Sequence, residues 1–279
     1  MTTTLRPAEP LQQSPDGGRS RTYDVCVNSR RVGSVHLSTD PAFGGASGVI
    51  QGLRVDEPDR RRGRGMVAAL ASEEVLRGWG CVEVQISVPA DAEAALRMAR
   101  SLGYTERSRN MVKELAAAPP VLPEGVEVRP MTGAEFTEWE ARAKKSFAQS
   151  WIDRGVPEAQ ARAKADDSYR RYLPQGLATP GIAIHVVVRD ERPAGYLWTG
   201  RHELEPGRWA AFVFDIEVAE GQRGRGYGRA LMLLAERVAR ESGEDVLGLH
   251  VFAGNTPAIR LYESLGYRTT HVNSAKELR

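Results

Sequence analysis

The stretch GQRGRGYGRA, residues 221–230, decides the fold, because it sets four glycines and three arginines between two regular patterns. The alternating segment FVFDIEV, residues 212–218, predicts a strand before it, and residues 228–243 predict an amphipathic helix after it. A glycine-rich turn at a helix N-terminus exposes unpaired backbone N–H groups and favours anions, phosphates above all. Two other readings of the stretch stay open: a solvated Arg/Gly turn, and a segment that contacts RNA. The spacing fits neither G-x-G-x-x-G nor a P-loop.

Composition narrows the class of protein. The 279 residues, 41% hydrophobic and 27% charged, are typical of a soluble protein with room for two domains. Residues 1–21 are polar and rich in Pro, Gly and Ser, so we expect a disordered tail and no secretion signal. A net charge of +2 does not call for a nucleic-acid or membrane partner. Cys26 and Cys81 lie in apolar patterns, which favours buried thiols and a cytoplasmic location.

A proline-rich linker, residues 116–124, separates two segments with the same order of elements. Residues 22–115 predict strands, a loop at RRGRG (61–65), a helix, a strand, a helix and a strand. Residues 125–279 predict the same later order, with two additional helices between Thr132 and Leu173. Thr132 and Glu135 have the spacing of a capping box at the start of the first of these helices. The shared order predicts an internal repeat.

The motif R-x-x-G-x-G in RGRGYG (223–228), followed by NTPAIRLYESLGY (255–267), resembles the GNAT superfamily of GCN5-related N-acetyltransferases over residues 125–279. This resemblance implies an α/β (α+β) fold of two tandem domains, each a mixed, mostly antiparallel splayed sheet flanked by helices, with the first domain truncated. It implies acetyl-CoA as co-substrate, no metal, and direct transfer of acetyl to the amine of a small molecule or peptide. The two-domain plan is also similar to that of the mycothiol synthases.

The resemblance also assigns residues to the cofactor. The loop would hold the pyrophosphate, the separated backbone near Ile216 and Val218 would pair with pantetheine, and Asn255 would contact the cofactor arm. The expected cofactor-binding residues are Ile216, Val218, Arg223, Gly224, Arg225, Gly226, Tyr227, Gly228, Arg229 and Asn255.

Three residues are candidates for catalysis. The resemblance makes Tyr262 the acid that protonates the CoA thiolate; the alternative is a packed core tyrosine. His250 alternates with Leu249 and Val251 and is a candidate base, or else a half-buried histidine bonded to a carbonyl. Glu217 is a second candidate base.

Asp215 is a rival to Glu217. Alternation places both carboxylates on the face of Val213, opposite Phe212, Phe214 and Ile216. Either one could instead be the structural partner of an arginine.

The first copy is expected to be non-catalytic. Aligning RGRG on RGRG sets Val67 opposite Gly228, while aligning SLGY on SLGY sets Ser87, Ala92 and Ala99 opposite His250, Asn255 and Tyr262. Whether the first copy still binds CoA stays open. Two other classes of function also stay open: a non-catalytic acyl-CoA-binding or regulatory protein, and an Arg/Gly nucleic-acid binder.

Overall fold

The computed structural model describes residues 2–15, 17–40, 46–153, 156–190 and 192–278. The chain divides into two compact units that are discontinuous in sequence. Unit 1 contains residues 1–109, 252–254 and 270–279, and unit 2 contains residues 110–251 and 255–269. The contiguous domain boundaries expected from the sequence, with a linker at residues 116–124, therefore stay a proposal.

Unit 1 is a twisted sheet with two helices. Its elements are β1 (Thr3–Pro7), β2 (Gln12–Gln13), β3 (Arg19–Val27), β4 (Arg30–Asp40), β5 (Ser47–Val55), α1 (Arg64–Gly78), β6 (Glu83–Pro89), α2 (Glu93–Ser101) and the beginning of β7 (Thr105–Glu114). The strand order is β1-β3-β4-β5-β6, followed by the last strand of the chain, β13 (Arg268–Glu277). Strands β5 and β6 are parallel, whereas β13 runs antiparallel to β6.

Unit 2 has a similar sheet with additional helices. Its elements are the end of β7, β8 (Glu127–Pro130), α3 (Gly133–Ile152), α4 (Glu158–Tyr172), β9 (Ala183–Arg189), β10 (Arg192–Glu205), β11 (Arg208–Val218), α5 (Tyr227–Glu241), β12 (Val246–Phe252) and α6 (Thr256–Ser264). The strand order is β7-β12-β11-β10-β9-β8. The pair β11–β12 is parallel, and β8 to β11 pair antiparallel. The mixed α/β fold predicted from the sequence is confirmed.

Helices α3 and α5 show why these segments fold as they do. The side chain of Thr132 accepts a hydrogen bond from the backbone N–H of Glu135, and the Glu135 carboxylate accepts one from the backbone N–H of Thr132. This capping box is as predicted and fixes the start of α3. The helix ends at Ile152. Helix α5 buries Leu231 and Met232 in the main core of unit 2.

The expectation of a disordered tail over residues 1–21 is wrong. Strand β1 pairs antiparallel with Tyr23–Val27 of β3, and β2 pairs with the beginning of β3. Leu5 packs against the apolar clusters of unit 1. An edge strand can form through backbone pairing and one apolar contact, so a polar segment such as this one can still be a strand. Its composition alone therefore did not predict a strand.

Matching elements of the two copies differ by a constant shift in residue number. Gly63 and Gly226 differ by 163, and each is the left-handed residue that caps its helix, with φ of 73° and 84°. The parallel pairs Gly48–Val84 and Ala211–Leu247 differ by the same 163 at both positions. The internal repeat predicted from the sequence is therefore in register from β5 to the end of each copy.

This shift corrects the predicted alignment of the loops. Gly65, not Val67, is the counterpart of Gly228, and RRRGRG (60–65) carries the whole R-x-x-G-x-G motif. Arg61 takes the left-handed conformation of Gly224, with φ of 59° against 74°. The sequence comparison slipped by two residues because both loops contain RGRG at different points of the turn.

Candidate active site

Strands β11 and β12 pair over a short length next to the loop. Among the described residues, their parallel pairing runs from Ala211–Leu247 to Val213–Leu249. Beyond this parallel pairing, β11 continues to Val218, and this part of β11 pairs with β10. The backbone oxygen of Val218 accepts a hydrogen bond of 3.3 Å from Arg223 Nε. The expected separation of these two strands therefore lies beside Ile216 and Val218.

The loop that follows β11 opens α5 with two glycines in the left-handed region. Gly224 has φ of 74° and Gly226 has φ of 84°, and no side chain caps the helix. The first turn of α5 contains no acidic residue. Since the N–H groups of a first helical turn lack acceptors within the helix, this end offers several donors to an anion.

The side chains of the loop divide into two groups. Arg223 and Arg225 are exposed, whereas the ring of Tyr227 is buried in the core. Tyr227 is the first residue of α5, so its backbone N–H can face a ligand. Arg229 donates a hydrogen bond of 2.7 Å to Ser264 Oγ at the end of α6. A Cβ on Gly228 would lie 3.2 Å from a methyl group of Leu261, so glycine here permits close packing on α6.

Asn255 caps helix α6. Its Oδ1 accepts a hydrogen bond of 3.3 Å from the backbone N–H of Ala258, and the residue is exposed. The cap uses only the amide oxygen and leaves the Nδ2 donors to other partners. This side chain therefore has a structural role in addition to the cofactor contact proposed for it.

Tyr262 lies on α6 and is buried in the core of unit 2, 5% exposed. Burial, together with the nearby carboxylate of Asp215, raises the pKa of its hydroxyl to about 12. The group is therefore protonated throughout the neutral range, as an acid must be before it donates.

A bulge in β11 corrects the predicted faces of this strand. The register skips Phe214, since Trp198 pairs with Asp215 and Thr199 pairs with Val213. Val213 and Ile216 pack with the main core of unit 2, whereas Phe214 packs with the aromatic cluster around Trp198. Asp215 therefore lies on the side of Phe214, not of Val213, because the extra residue interrupts the alternation.

The bulge also brings Asp215 to a residue that sequence reasoning missed. Tyr196 Oη donates a hydrogen bond of 2.8 Å to Asp215 Oδ2. Burial raises the pKa of the Asp215 carboxyl by more than the hydrogen bond from Tyr196 lowers it, and the neighbouring Glu217 also raises it. The only sequence signal for Tyr196 is its place two residues before Trp198 in an alternating strand. Its partner depends on a bulge that local pattern does not reveal.

The other two candidate bases are exposed. His250 faces away from Leu249 and Val251, as predicted, and lies on the face of Gly248. A Cβ on Gly248 would meet the ring of Phe212, so this face of β12 adjoins the aromatic side of β11. Glu217 is exposed near the end of β11. Of the three, Asp215 is the more buried.

The first copy keeps the loop but not these side chains. In the corrected register, Gly52, Ser87, Ala92 and Ala99 of unit 1 are the counterparts of Asp215, His250, Asn255 and Tyr262. The first helical residue also differs, since Arg64 replaces Tyr227 and forms a buried ion pair with Asp59. Asp59 in turn accepts hydrogen bonds from Arg30 at 2.7 and 3.0 Å.

Cys26 and Cys81 are both buried thiols, as expected. No helix in the described part of the chain is long and apolar enough to cross a membrane.

Comparison with known proteins also finds two similar regions in the chain. The model of the Acetyltransferase (GNAT) family matches residues 4–104 and again residues 138–267. A mycothiol acetyltransferase from Acidothermus cellulolyticus is 31% identical over 86% of this chain and 73% of its own length. An uncharacterized N-acetyltransferase of Bacillus subtilis, YdgE, is 33% identical over 53% of this chain and 95% of its own length.

Solved structures agree on the fold. The crystal structure of a GCN5-related N-acetyltransferase from Sphaerobacter thermophilus has a TM-score of 0.59 at 22% identity, covering 92% of this chain and 81% of its own. A tandem GNAT protein from the clavulanic acid biosynthesis pathway has a TM-score of 0.53 at 19% identity, covering 95% of this chain and 85% of its own. With its two family matches, the chain belongs to the acetyltransferase (GNAT) family as a tandem N-acetyltransferase.

Proposed function

We propose that unit 2 carries the active site and transfers acetyl from acetyl-CoA directly to an amine. The observation that supports this most is the loop at residues 223–228, where two left-handed glycines and uncapped N–H groups adjoin the end of the β11–β12 pairing. Arg223 and Arg225 add positive charge at the same end of α5. This combination suits a pyrophosphate flanked by an extended chain.

This geometry supports the cofactor-binding residues expected from the sequence. Backbone N–H groups of Gly226, Tyr227 and Gly228 would bind the pyrophosphate, with charge from Arg223, Arg225 and Arg229. The backbone of Ile216 and Val218 would pair with the pantetheine arm, and Asn255 would contact it through Nδ2. Acetyl-CoA supplies the thioester whose C–S bond breaks as the C–N bond forms.

Two protons have to move in this transfer. The Tyr262 hydroxyl gives one to the sulfur of the departing CoA, and a base takes one from the attacking nitrogen. We propose Asp215 as that base ahead of His250 and Glu217, which are more exposed to solvent. A raised pKa makes this carboxylate a better proton acceptor, and its charge contributes to the raised pKa of Tyr262. The proton can then return to the tyrosinate.

The acceptor side is formed by elements that only unit 2 has. Helices α3 and α4 pack on an aromatic cluster in which Trp139 contacts Tyr169, Tyr196 and Trp198. Asp215 adjoins this cluster through Tyr196. Several relatives are named mycothiol acetyltransferases, so the deacetylated form of mycothiol is the first acceptor to examine. The two buried thiols are consistent with action in the cytoplasm.

The test is a screen for thiol release from acetyl-CoA with an amine panel. The panel contains deacetylated mycothiol, amino acids, polyamines, aminoglycosides and peptides, and the Tyr262→Phe variant is the control. We expect one class of amine to give thiol release that the variant largely loses. Binding of acetyl-CoA without thiol release from any amine would favour a non-catalytic acyl-CoA-binding protein instead. Binding of RNA or DNA that falls steeply with salt would favour a nucleic-acid binder.

A further inference from the structure

Each unit contains a buried glutamate that is paired with a lysine from a terminal strand. In unit 1, Glu73 of α1 accepts a hydrogen bond of 2.7 Å from Lys276 Nζ on β13. In unit 2, Glu236 of α5 accepts one of 2.7 Å from Lys113 Nζ on β7. The glutamate side chains are 4% and 6% exposed, so each needs the opposite charge of its lysine, and Glu73 also accepts a hydrogen bond of 3.0 Å from Tyr104 Oη.

The two pairs are equivalent in the repeat. Glu73 and Glu236 differ by 163 in residue number, and so do Lys113 and Lys276. The lysine Nζ lies 5.7 Å from the ring of Tyr104 in unit 1 and 5.7 Å from the ring of Tyr267 in unit 2. Burial raises the pKa of both tyrosine hydroxyls, and the adjacent glutamate raises each of them further. The same cluster has therefore been built twice.

The lysines, however, come from the opposite halves of the sequence. Lys113 ends the first copy, but its partner Glu236 lies in the second copy, and the reverse holds for Lys276 and Glu73. The backbone next to each lysine also bonds to the opposite half of the sequence. The Leu115 N–H donates to the Asp245 carbonyl, and the Leu278 N–H donates to the Val82 carbonyl. Asp245 and Val82 again differ by 163.

Apolar packing of these strands agrees with the hydrogen bonds. Met111 of β7 is buried in the core of unit 2, which also contains Tyr262 and Tyr267. Leu115 packs against the same core, whereas its counterpart Leu278 packs against the core of unit 1.

We infer that the two copies have exchanged their last strands, so that the first half of the chain supplies residues 110–115 as an obligatory strand of the unit proposed to be catalytic. The second half, residues 125–279, cannot complete that unit from its own sequence, because its own last strand belongs to unit 1. The first half of the chain is then needed for the fold of unit 2, whatever chemistry unit 1 has itself. This inference concerns assembly and does not depend on the proposed reaction.

The test compares Lys113→Met with Lys276→Met in the full-length chain by hydrogen–deuterium exchange. Removal of either lysine leaves a buried carboxylate unpaired and should loosen the elements around it. We expect Lys113→Met to raise exchange at least tenfold in α5 and β12 and to leave α1 and β6 unchanged. Lys276→Met should give the opposite pattern. Faster exchange in α1 after Lys113→Met, or no change in α5, would overturn the inference.

A double-mutant comparison covers the case in which a single variant unfolds. Urea midpoints are measured for Lys113→Arg combined with Glu236→Gln and for Lys113→Arg combined with Glu73→Gln. Residues that share a hydrogen bond give non-additive effects, while separated residues give additive ones. We expect non-additivity only with Glu236→Gln. Non-additivity with Glu73→Gln instead would show that each strand has stayed with its own half.

Discussion

At the scale of single residues, Tyr262 combines burial with a nearby carboxylate. Its pKa of about 12 keeps the hydroxyl protonated wherever the protein is folded and assayed. Phenylalanine fills the same volume in the core and removes only the proton donor. We therefore expect Tyr262→Phe to keep the fold and to lower kcat by roughly 10²-fold.

Steady-state kinetics at saturating acetyl-CoA measure this change, with circular dichroism as the check on folding. Tyr267→Phe is the matched control, because Tyr267 is also buried in this core and has no assigned catalytic step. Unchanged turnover in Tyr262→Phe would return Tyr262 to a packing role.

The acidic limb of the pH profile of kcat/KM distinguishes between the three candidate bases. Burial and Glu217 raise the pKa of Asp215 above its ordinary value, so kcat/KM should fall as pH decreases through this raised pKa. Asp215→Asn should lose that limb together with about 10²-fold or more of the activity. Glu217→Gln and His250→Gln should keep it.

These three profiles are measured with one accepted amine under the same conditions. Loss of the limb in His250→Gln, with the limb intact in Asp215→Asn, would make His250 the base. The bulge at Phe214 would then have only a structural role.

At the scale of elements, helix α3 offers a pH-dependent test of the cap that starts it. Arg129 donates hydrogen bonds of 2.8 Å to both oxygens of Glu135 and lowers the pKa of that carboxyl to about 2. A lowered folded-state pKa means that this stabilisation is complete above the unfolded value of 4.5 and is lost as pH falls towards 2. Glu135→Gln removes the titrating group and should reduce stability at pH 7.

Urea midpoints of both proteins between pH 7 and pH 2 measure this effect. The wild-type advantage over Glu135→Gln should shrink steadily below pH 4.5, while the variant can still form the capping box. A wild-type advantage that does not change with pH would contradict the role given to the Arg129 pair.

The same elements show what the sequence reveals and what it hides. The Thr132–Glu135 box spans three residues and the loop at residues 223–228 is continuous, so both can be predicted from local pattern. The contact between Tyr196 and Asp215 depends on the register of two strands, which a bulge shifts. Local alternation cannot detect that shift, and the predicted face of Asp215 was wrong for this reason.

At the scale of the whole molecule, the two copies share their backbone plan from β5 and β11 onward but not the side chains proposed for catalysis. Unit 1 keeps RRRGRG and its left-handed cap at Gly63, but it has alanine at the counterparts of Asn255 and Tyr262. Sequence comparison identified those missing side chains and misplaced the loop by two residues. Only the pairing of β5 with β6 and of β11 with β12 sets the register that corrects it.

The same register provides matched variants for the assignment of the active site. Gly63 and Gly226 both cap their helices at positive φ, and a Cβ added to either would meet no atom within 4 Å. Valine therefore strains the two backbones alike, by about 1–3 kcal/mol, and clashes with nothing in the protein itself. A difference in activity between the variants then reports on the ligand at each loop.

The decisive measurement is acetyl-CoA-dependent turnover of Gly226→Val and Gly63→Val with an accepted amine, after circular dichroism has shown both to be folded. Gly226→Val should lose at least 90% of kcat/KM for acetyl-CoA, and Gly63→Val should retain most of it, because only unit 2 has the side chains proposed for catalysis. Loss of activity in Gly63→Val with activity retained in Gly226→Val would place the active site in unit 1 and contradict the assignment.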